Sequence, residues 1–139
     1  MDLHTLQRVV IDALEDIKAQ DIAVFDTTGI TSVFDRVIIA SASSNRQTRA
    51  LAKNVHDKAR EAGFSVFSTE GEDTGEWVLV DLGDIVVHLM QPAIRQYYHL
   101  EEIWGGKTVN VELNPHSRSK PQPGIDYFPQ TEAYPLMSH

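Results

Sequence analysis

Residues 75–104 read GEWVLVDLGDIVVHLMQPAIRQYYHLEEIW, and the rest of the chain is organised around this segment. Two apolar runs rich in β-branched residues, 77–82 and 85–90, flank a break at Gly83, a pattern typical of an antiparallel hairpin. Gly83 supplies the positive φ that so tight a turn requires. Pro92 has no N–H to give to a strand ladder but suits the first turn of a helix, so the segment predicts strand, turn, strand and helix.

Alternation along this hairpin divides its side chains between two faces of a sheet. One set is wholly apolar and suits a core: Val78, Val80, Ile85, Val87 and Leu89. The other set mixes an aromatic ring, an imidazole and aliphatic side chains: Trp77, Leu79, Val86, His88 and Met90. The following helix adds Tyr97, Tyr98, Leu100 and Trp104. Aromatic residues beside acids are typical of a protein-binding patch, but they also occur in ordinary cores, and residue types alone leave both interpretations open.

Apolar spacing elsewhere predicts the remaining elements. One-face helical spacing covers residues 2–18 and 45–62. Short apolar runs predict three further strands: 22–25, 36–40 and 64–67. The order α-β-β-α-β-β-β-α favours an α/β fold, a single layered domain with a mixed sheet of about five strands and flanking helices, over residues 1–106.

The C-terminal part of the chain differs in composition. Residues 107–139 contain five of the six prolines, and 117–124 has linker composition, so we expect a Pro-rich tail that is partly extended or disordered. Residues 108–113 alternate in polarity and fit an added edge strand.

Charge and composition exclude several classes of function. The net charge of −8 lies entirely in residues 1–105, and an acidic body argues against direct binding of nucleic acid while favouring a basic protein partner. There is no cysteine, no apolar run of signal-peptide length at the N-terminus and no stretch of about 20 apolar residues. We therefore expect a cytoplasmic protein without membrane association.

The residues that carry chemistry give no convincing catalytic set. The six histidines lack metal-ligand spacing, so no metal or cofactor is predicted. Asp81 and Asp84 flank the hairpin turn and fit a Mg²⁺ site for phosphoryl transfer, although Asp is also common in turns for backbone reasons. The segment 41–45 before the second helix suits either a helix cap or an anion cradle. No nucleophile motif is present, and no catalytic residue is assigned.

Several of these motifs, in this order, resemble the ribosomal silencing factor family, also called RsfS or Iojap-related, over residues 5–105. The matching segments are Asp35–Gln47 (DRVIIASASSNRQ), Glu70-Gly71, Gly75–His88, Gln91-Pro92, Arg95, Tyr97–Glu101 and Trp104.

The resemblance implies a nucleotidyltransferase-like fold without transferase activity. It also implies a translation repressor that binds the large ribosomal subunit through ribosomal protein L-fourteen and blocks association with the small subunit when nutrients are limiting. The family pattern matches Trp77 and the aromatic Tyr98, and the expected hairpin and helix geometry adds further contact residues: Leu82, Asp84, Leu100 and Glu101. The alternatives are a Mg²⁺-dependent nucleotidyltransferase-like enzyme using Asp81 and Asp84, and a homodimer built on the same patch.

Overall fold

Three α-helices, five strands and a 3₁₀ helix make up the part of the chain that the computed structural model describes, namely residues 2–104, 108, 109, 111 and 113. In chain order they are α1 (Leu3–Asp16), β1 (Gln20–Asp26), β2 (Arg36–Ser41), α2 (Asn45–Glu61), β3 (Ser68–Glu70), β4 (Trp77–Asp81), β5 (Ile85–Met90), α3 (Pro92–Tyr98) and the 3₁₀ helix (Leu100–Trp104). None of the helices in these residues combines the length and apolar character needed to cross a membrane.

The strands form one mixed sheet in the order β1-β2-β5-β4-β3. Strands β2 and β5 are parallel, and every other neighbouring pair is antiparallel. The predicted hairpin is β4–β5, which pairs from Trp77 with Met90 to Asp81 with Val86, and Gly83 in its turn has a φ of 88°. The predicted α/β class, the element order and the five-stranded mixed sheet are confirmed.

The two faces of the sheet bury separate clusters of side chains. Helices α1 and α2 cover one face, where Val78, Val80, Ile85, Val87 and Leu89 are buried as predicted. The other face carries a smaller cluster: Phe25, Val37, Ile39, Met90 and Leu100, with Phe34, Trp77, Ile94 and Trp104 packed against it. The segment that contains α3 and the 3₁₀ helix therefore closes only part of this second face, and the aromatic residues lie at its margin.

The helix ends follow from local chemistry. Asp2 caps α1 by accepting the N–H of Thr5 at 2.7 Å. Ser44 caps α2 by accepting the N–H of Gln47 at 3.0 Å, which confirms a cap in the 41–45 segment. After α2, Gly63 has the left-handed φ of 94° that terminates many helices.

The third strand was predicted at the wrong place. Residues 64–67 do not form it, and β3 is the polar segment Ser68–Glu70. The N–H of Phe64 donates to the carbonyl of Ala59, at the end of α2, and the half-buried Phe64 and Val66 pack against the helix-covered cluster. Ladder pairing begins only at Phe67, whose N–H donates to the carbonyl of Asp81 at 2.8 Å. The apolar side chains of residues 64–67 therefore reflect packing against the helix-covered cluster and not pairing in the sheet.

The C-terminal helix is also shorter than the pattern predicts. It ends at Tyr98, because His99 adopts a left-handed conformation (φ 51°, ψ 46°), and the chain then re-forms as the 3₁₀ helix. Within the predicted edge strand 108–113, Thr108 forms an antiparallel bridge with Phe25, and the N–H of Val109 donates to the carbonyl of Val24 at 2.8 Å. The predicted tail, apart from residues 108, 109, 111 and 113, lies outside the described residues.

Candidate functional site

Three aromatic side chains form a continuous patch at the margin of the second face, and we call Trp77, Tyr97 and Tyr98 the aromatic patch. The rings of Trp77 and Tyr98 have centroids 5.1 Å apart, and those of Tyr97 and Tyr98 are 4.9 Å apart and nearly perpendicular. Tyr98 is 40% exposed, Tyr97 is more exposed, and Trp77 is half-buried. The first pair is tilted by 49° and the second is edge-to-face. Aromatic contacts at these distances are favourable, so the rings support one another while remaining accessible.

A buried histidine holds the indole from beneath. The Nε1–H of Trp77 donates to Nδ1 of His88 at 3.0 Å, and His88 is only 9% exposed. Because Nδ1 accepts, the neutral imidazole carries its proton on Nε2. Burial lowers the pKa of His88 to about 4, so this side chain is neutral near pH 7.

The bond between Trp77 and His88 is a diagonal one across the hairpin. Trp77 pairs with Met90, and Leu79 pairs with His88, so the indole reaches one diagonal position along the neighbouring strand. Sequence alternation put Trp77 and His88 on one face but did not reveal their bond. The sequence feature that could have predicted this bond is the diagonal spacing of the two residues in the hairpin, together with an indole donor and an imidazole acceptor.

An open hollow of about 260 Å³ lies beside the aromatic patch, and we call it the β3 hollow. Its lining comprises Glu70, Gly71, Trp77, Leu79 and His88. The strand register explains the grouping: Glu70 pairs with Leu79 and Leu79 with His88, so one row of side chains crosses three strands from the rim inward.

The rim of the β3 hollow depends on a glycine and an arginine. A Cβ on Gly71, which has a φ of 90°, would lie 2.1 Å from the carbonyl oxygen of Trp77, so glycine alone permits this approach. Arg49 of α2 donates to the carbonyl of Glu72 at 2.7 Å and to that of Asp73 at 3.0 Å. These bonds tie the loop after β3 to the helix layer.

A second arginine fixes the segment that carries the tyrosines. Arg95 Nε donates to Oε2 of Glu101 at 2.7 Å, and Nη1 donates at 2.8 Å to both the carbonyl of Asp21 and the hydroxyl of Ser41. The side chains of Arg95 and Glu101 are both largely buried. The arginine therefore joins α3 and the 3₁₀ helix to the ends of β1 and β2. We call this set the Arg95 clamp.

The structure does not gather the six sequence-predicted contact residues into one patch. The rings of Trp77 and Tyr98 contact each other at a tilt of 49°, Leu100 is buried in the second-face cluster, and the carboxylate of Glu101 belongs to the Arg95 clamp. Leu82 is buried in the helix-covered cluster, and Asp84 is exposed at the hairpin turn. That turn is at the opposite end of β4 from Trp77, about 13 Å away at the usual strand rise.

The aspartates weighed as a Mg²⁺ site have backbone roles. Asp81 Oδ1 accepts the N–H of Gly83 at 2.9 Å, and the carbonyl of Asp84 accepts the N–H groups of Asp35 and Arg36. Across residues 2–104 and the four described positions beyond them, no three His, Cys, Asp or Glu side chains are grouped so as to hold a metal ion.

The fold and the site together define a small mixed α/β domain that presents a partly exposed aromatic patch. A family model described as ribosomal silencing factor during starvation matches residues 1–132, and the chain belongs to this family. The chain is 50% identical over 107 residues to the ribosomal silencing factor RsfS of Chromobacterium violaceum, covering 77% of this chain and 88% of that one. The name of this relative is that of a silencing factor, which is a regulator.

Other comparisons agree with this family. A crystal structure of a protein from Chromobacterium violaceum matches with a TM-score of 0.75 and 47% identity, covering 82% of this chain and 95% of that one. A mouse protein named mitochondrial assembly of ribosomal large subunit protein 1 is 31% identical over 110 residues, or 76% of this chain and 47% of that one. The resemblance inferred from the sequence motifs is thus confirmed.

Proposed function

We propose that this protein represses translation by binding the large ribosomal subunit through ribosomal protein L-fourteen and thereby blocking association with the small subunit when nutrients are limiting. The observation that carries the proposal is the pair of contacting, partly exposed rings of Trp77 and Tyr98 on a domain of the silencing-factor family. The name of the mouse relative, which refers to assembly of the large ribosomal subunit, supports the choice of subunit.

The aromatic patch has the physical properties of a binding hot spot. Tryptophan and tyrosine are enriched among the few residues that carry most of the binding energy at protein interfaces. Here His88 holds Trp77 from below, and the Arg95 clamp holds the segment bearing Tyr98. Because the rings are ordered before binding, less conformational entropy is lost when a partner covers them.

Charge supports a basic protein as the partner. The net charge of −8 opposes binding to phosphate backbones and accelerates encounter with a positively charged protein surface. Association should therefore slow as ionic strength rises, because salt screens charges separated by more than about 8–10 Å.

The proposed mechanism is steric and involves no chemical step. A subunit whose joining face is occupied cannot form the bridges that hold the two subunits together. Repression then saturates at one bound protein per large subunit and ends when that protein dissociates. The contact residues in this proposal are centred on Trp77 and Tyr98, with Leu100 and Glu101 supporting them from within and Asp84 available at the distant turn.

The test uses purified large subunits and the full chain. We expect cosedimentation with large subunits, and inhibition of subunit joining measured by light scattering at equimolar protein. Joining that proceeds normally with saturating protein would refute the mechanism. A chain that instead self-associates through the aromatic patch, detected by analytical ultracentrifugation, and ignores the subunits would favour the homodimer.

A further inference from the structure

The residues that line the β3 hollow become more buried from its rim inward. Along the row that crosses the sheet, Glu70 is exposed, Leu79 is half-buried, His88 is almost buried and Ile39 is fully buried. Trp77 provides the wall on the side of the aromatic patch. A ligand that fits this gradient has an apolar stem, which the inner walls desolvate, and a polar end that reaches the rim.

The polar end has to be cationic. Glu70 is the only charged side chain among the lining residues, and it has no ion-pair partner within the described part of the chain. His88 adds no opposing charge, because burial lowers its pKa to about 4 and keeps the imidazole neutral near pH 7. An anionic group would meet the carboxylate of Glu70 and the negative field of the whole domain.

The indole of Trp77 favours a guanidinium group over an ammonium group. A guanidinium group is planar, stacks on an indole face and pairs with a carboxylate through two parallel N–H bonds. An ammonium group is more strongly hydrated and lacks the flat surface that stacks. The volume of about 260 Å³ accommodates a single long side chain rather than a folded segment.

We propose that the β3 hollow receives an arginine side chain from the partner protein, with its stem against Leu79, its guanidinium over Trp77 and its charge paired with Glu70. This inference rests on the proposed function, because the hollow adjoins the aromatic patch and shares Trp77 with it. It goes further by assigning a binding role to Glu70 and a chemical class to the group that occupies the hollow.

The first experiment tests the hollow without any ribosome. The probe is N-acetylarginine amide, titrated into isotopically labelled full-length protein while the indole Nε1–H resonance of Trp77 and the ring resonances of His88 are followed by NMR. We expect a saturable shift with a Kd in the range of about 1–20 mM, as suits one stacked ion pair. N-acetylcitrulline amide has the same shape without the charge and should bind at least about fivefold more weakly.

Two matched variants test the role of the Glu70 carboxylate. Glu70→Gln removes the rim charge at an exposed position, and Glu61→Gln removes the same charge at the end of α2, on the opposite side of the sheet. Glu70→Gln should abolish the preference for arginine over citrulline and weaken binding to large subunits by about tenfold. Glu61→Gln should change both by less than about twofold.

The outcomes separate the two proposals. No saturable shift up to about 50 mM arginine amide, or equal binding of arginine and citrulline, overturns the assignment of the hollow. Equal subunit affinity for Glu70→Gln and Glu61→Gln also overturns it, while leaving the proposed function intact. If the unmodified protein fails to bind large subunits, the proposed function falls, and the amide titration alone decides whether the hollow takes arginine.

Discussion

Nε1 of Trp77 lies 3.0 Å from Nδ1 of His88, so the central ring of the aromatic patch is hydrogen-bonded to a nearly buried imidazole of the neighbouring strand. The bond is made with the neutral form of the histidine, because only that form offers a nitrogen lone pair. The aromatic patch and the protein interior thus share one interaction. The protonation state of His88 controls it.

The first prediction concerns pH. The pKa of a histidine in an unfolded chain is about 6.5, and that of His88 in the folded protein is about 4. Between these values the unfolded chain takes up the proton and the folded chain does not. The free energy of unfolding should therefore be fully retained above about pH 6.5 and should fall by up to roughly 3 kcal/mol as the pH drops to about 4. Urea denaturation at several pH values measures this slope.

The control for this prediction is His88→Asn, which retains an acceptor for the indole but does not titrate in this range. Its unfolding free energy should be lower at pH 7 and should depend less on pH between about 6.5 and 4. The lowered pKa values of Asp2 and Asp57, which arise from the backbone N–H of Thr5 and the ammonium group of Lys53, act only below about pH 4. Parallel pH slopes for the two proteins would show that His88 is not the responsible group.

The second prediction concerns the anchor of the aromatic patch. Trp77→Ala should weaken binding to large subunits by about 2 kcal/mol or more, which is roughly 30-fold, because it removes the half-buried ring against which Tyr98 packs. Cosedimentation at several protein concentrations measures the Kd. Trp77→Phe keeps a ring but loses the bond to His88, and its affinity should lie between those of Trp77→Ala and the unmodified protein.

A matched control is Phe67→Ala. Phe67 is 67% exposed, and its ring lies against Gly83 at the hairpin turn, at the other end of β4 from Trp77. This substitution removes a comparable exposed ring and should leave the affinity within about twofold. Equal losses for Trp77→Ala and Phe67→Ala would argue for a docking surface that includes the turn.

The third prediction concerns the glycine at the rim of the β3 hollow. Gly71→Ala places a methyl group against the carbonyl of Trp77 and requires a positive φ, so we expect a loss of about 2–4 kcal/mol in the free energy of unfolding. Gly29→Ala is the control, because Gly29 is exposed and does not have a positive φ, and it should change stability by less than about 0.5 kcal/mol. Denaturant titrations of both variants make the comparison, and a tolerated Gly71→Ala would mean that the loop can move away from β4.

The fourth prediction concerns the Arg95 clamp. Arg95→Met removes donors from the carboxylate of Glu101, the carbonyl of Asp21 and the hydroxyl of Ser41, and should destabilise the fold by about 2–3 kcal/mol. Arg95→Lys should restore only part of this loss, since a lysine cannot reproduce the fork of the guanidinium.

The control for the clamp is Lys53→Met, which breaks the exposed pair with Asp57 on α2 and should leave the free energy of unfolding nearly unchanged, because solvent screens such a pair. Hydrogen exchange locates the effect: protection should fall across 92–104 in Arg95→Met and remain unchanged in Lys53→Met. Uniform loss of protection over the whole sheet would show that the arginine stabilises the entire domain rather than this segment.

Local patterns predicted the hairpin because β-branched runs and Gly83 act over a few residues. The sheet order was not predicted, since the parallel pairing of β2 with β5 joins segments almost fifty residues apart. The polar strand β3 was missed because it has no apolar side-chain pattern, and only its main-chain hydrogen bonds pair it with β4. Leu82 could have been assigned to the core from sequence, because it has the same parity along β4 as Val78 and Val80.

The Arg95 clamp lay beyond sequence reasoning for a different reason. Its ion pair with Glu101 forms because His99 turns the chain with a left-handed conformation, which histidine adopts only occasionally. The expected hairpin and helix geometry therefore placed Glu101 in the contact surface, and its partner inside the domain became visible only with the fold.

The division of the interior into two clusters by a single sheet has a consequence for protein engineering. The cluster on the aromatic side shares no residue with the one beneath α1 and α2. Exposed positions on the aromatic side can therefore be redesigned against a new target while the helix-covered packing is kept as a scaffold.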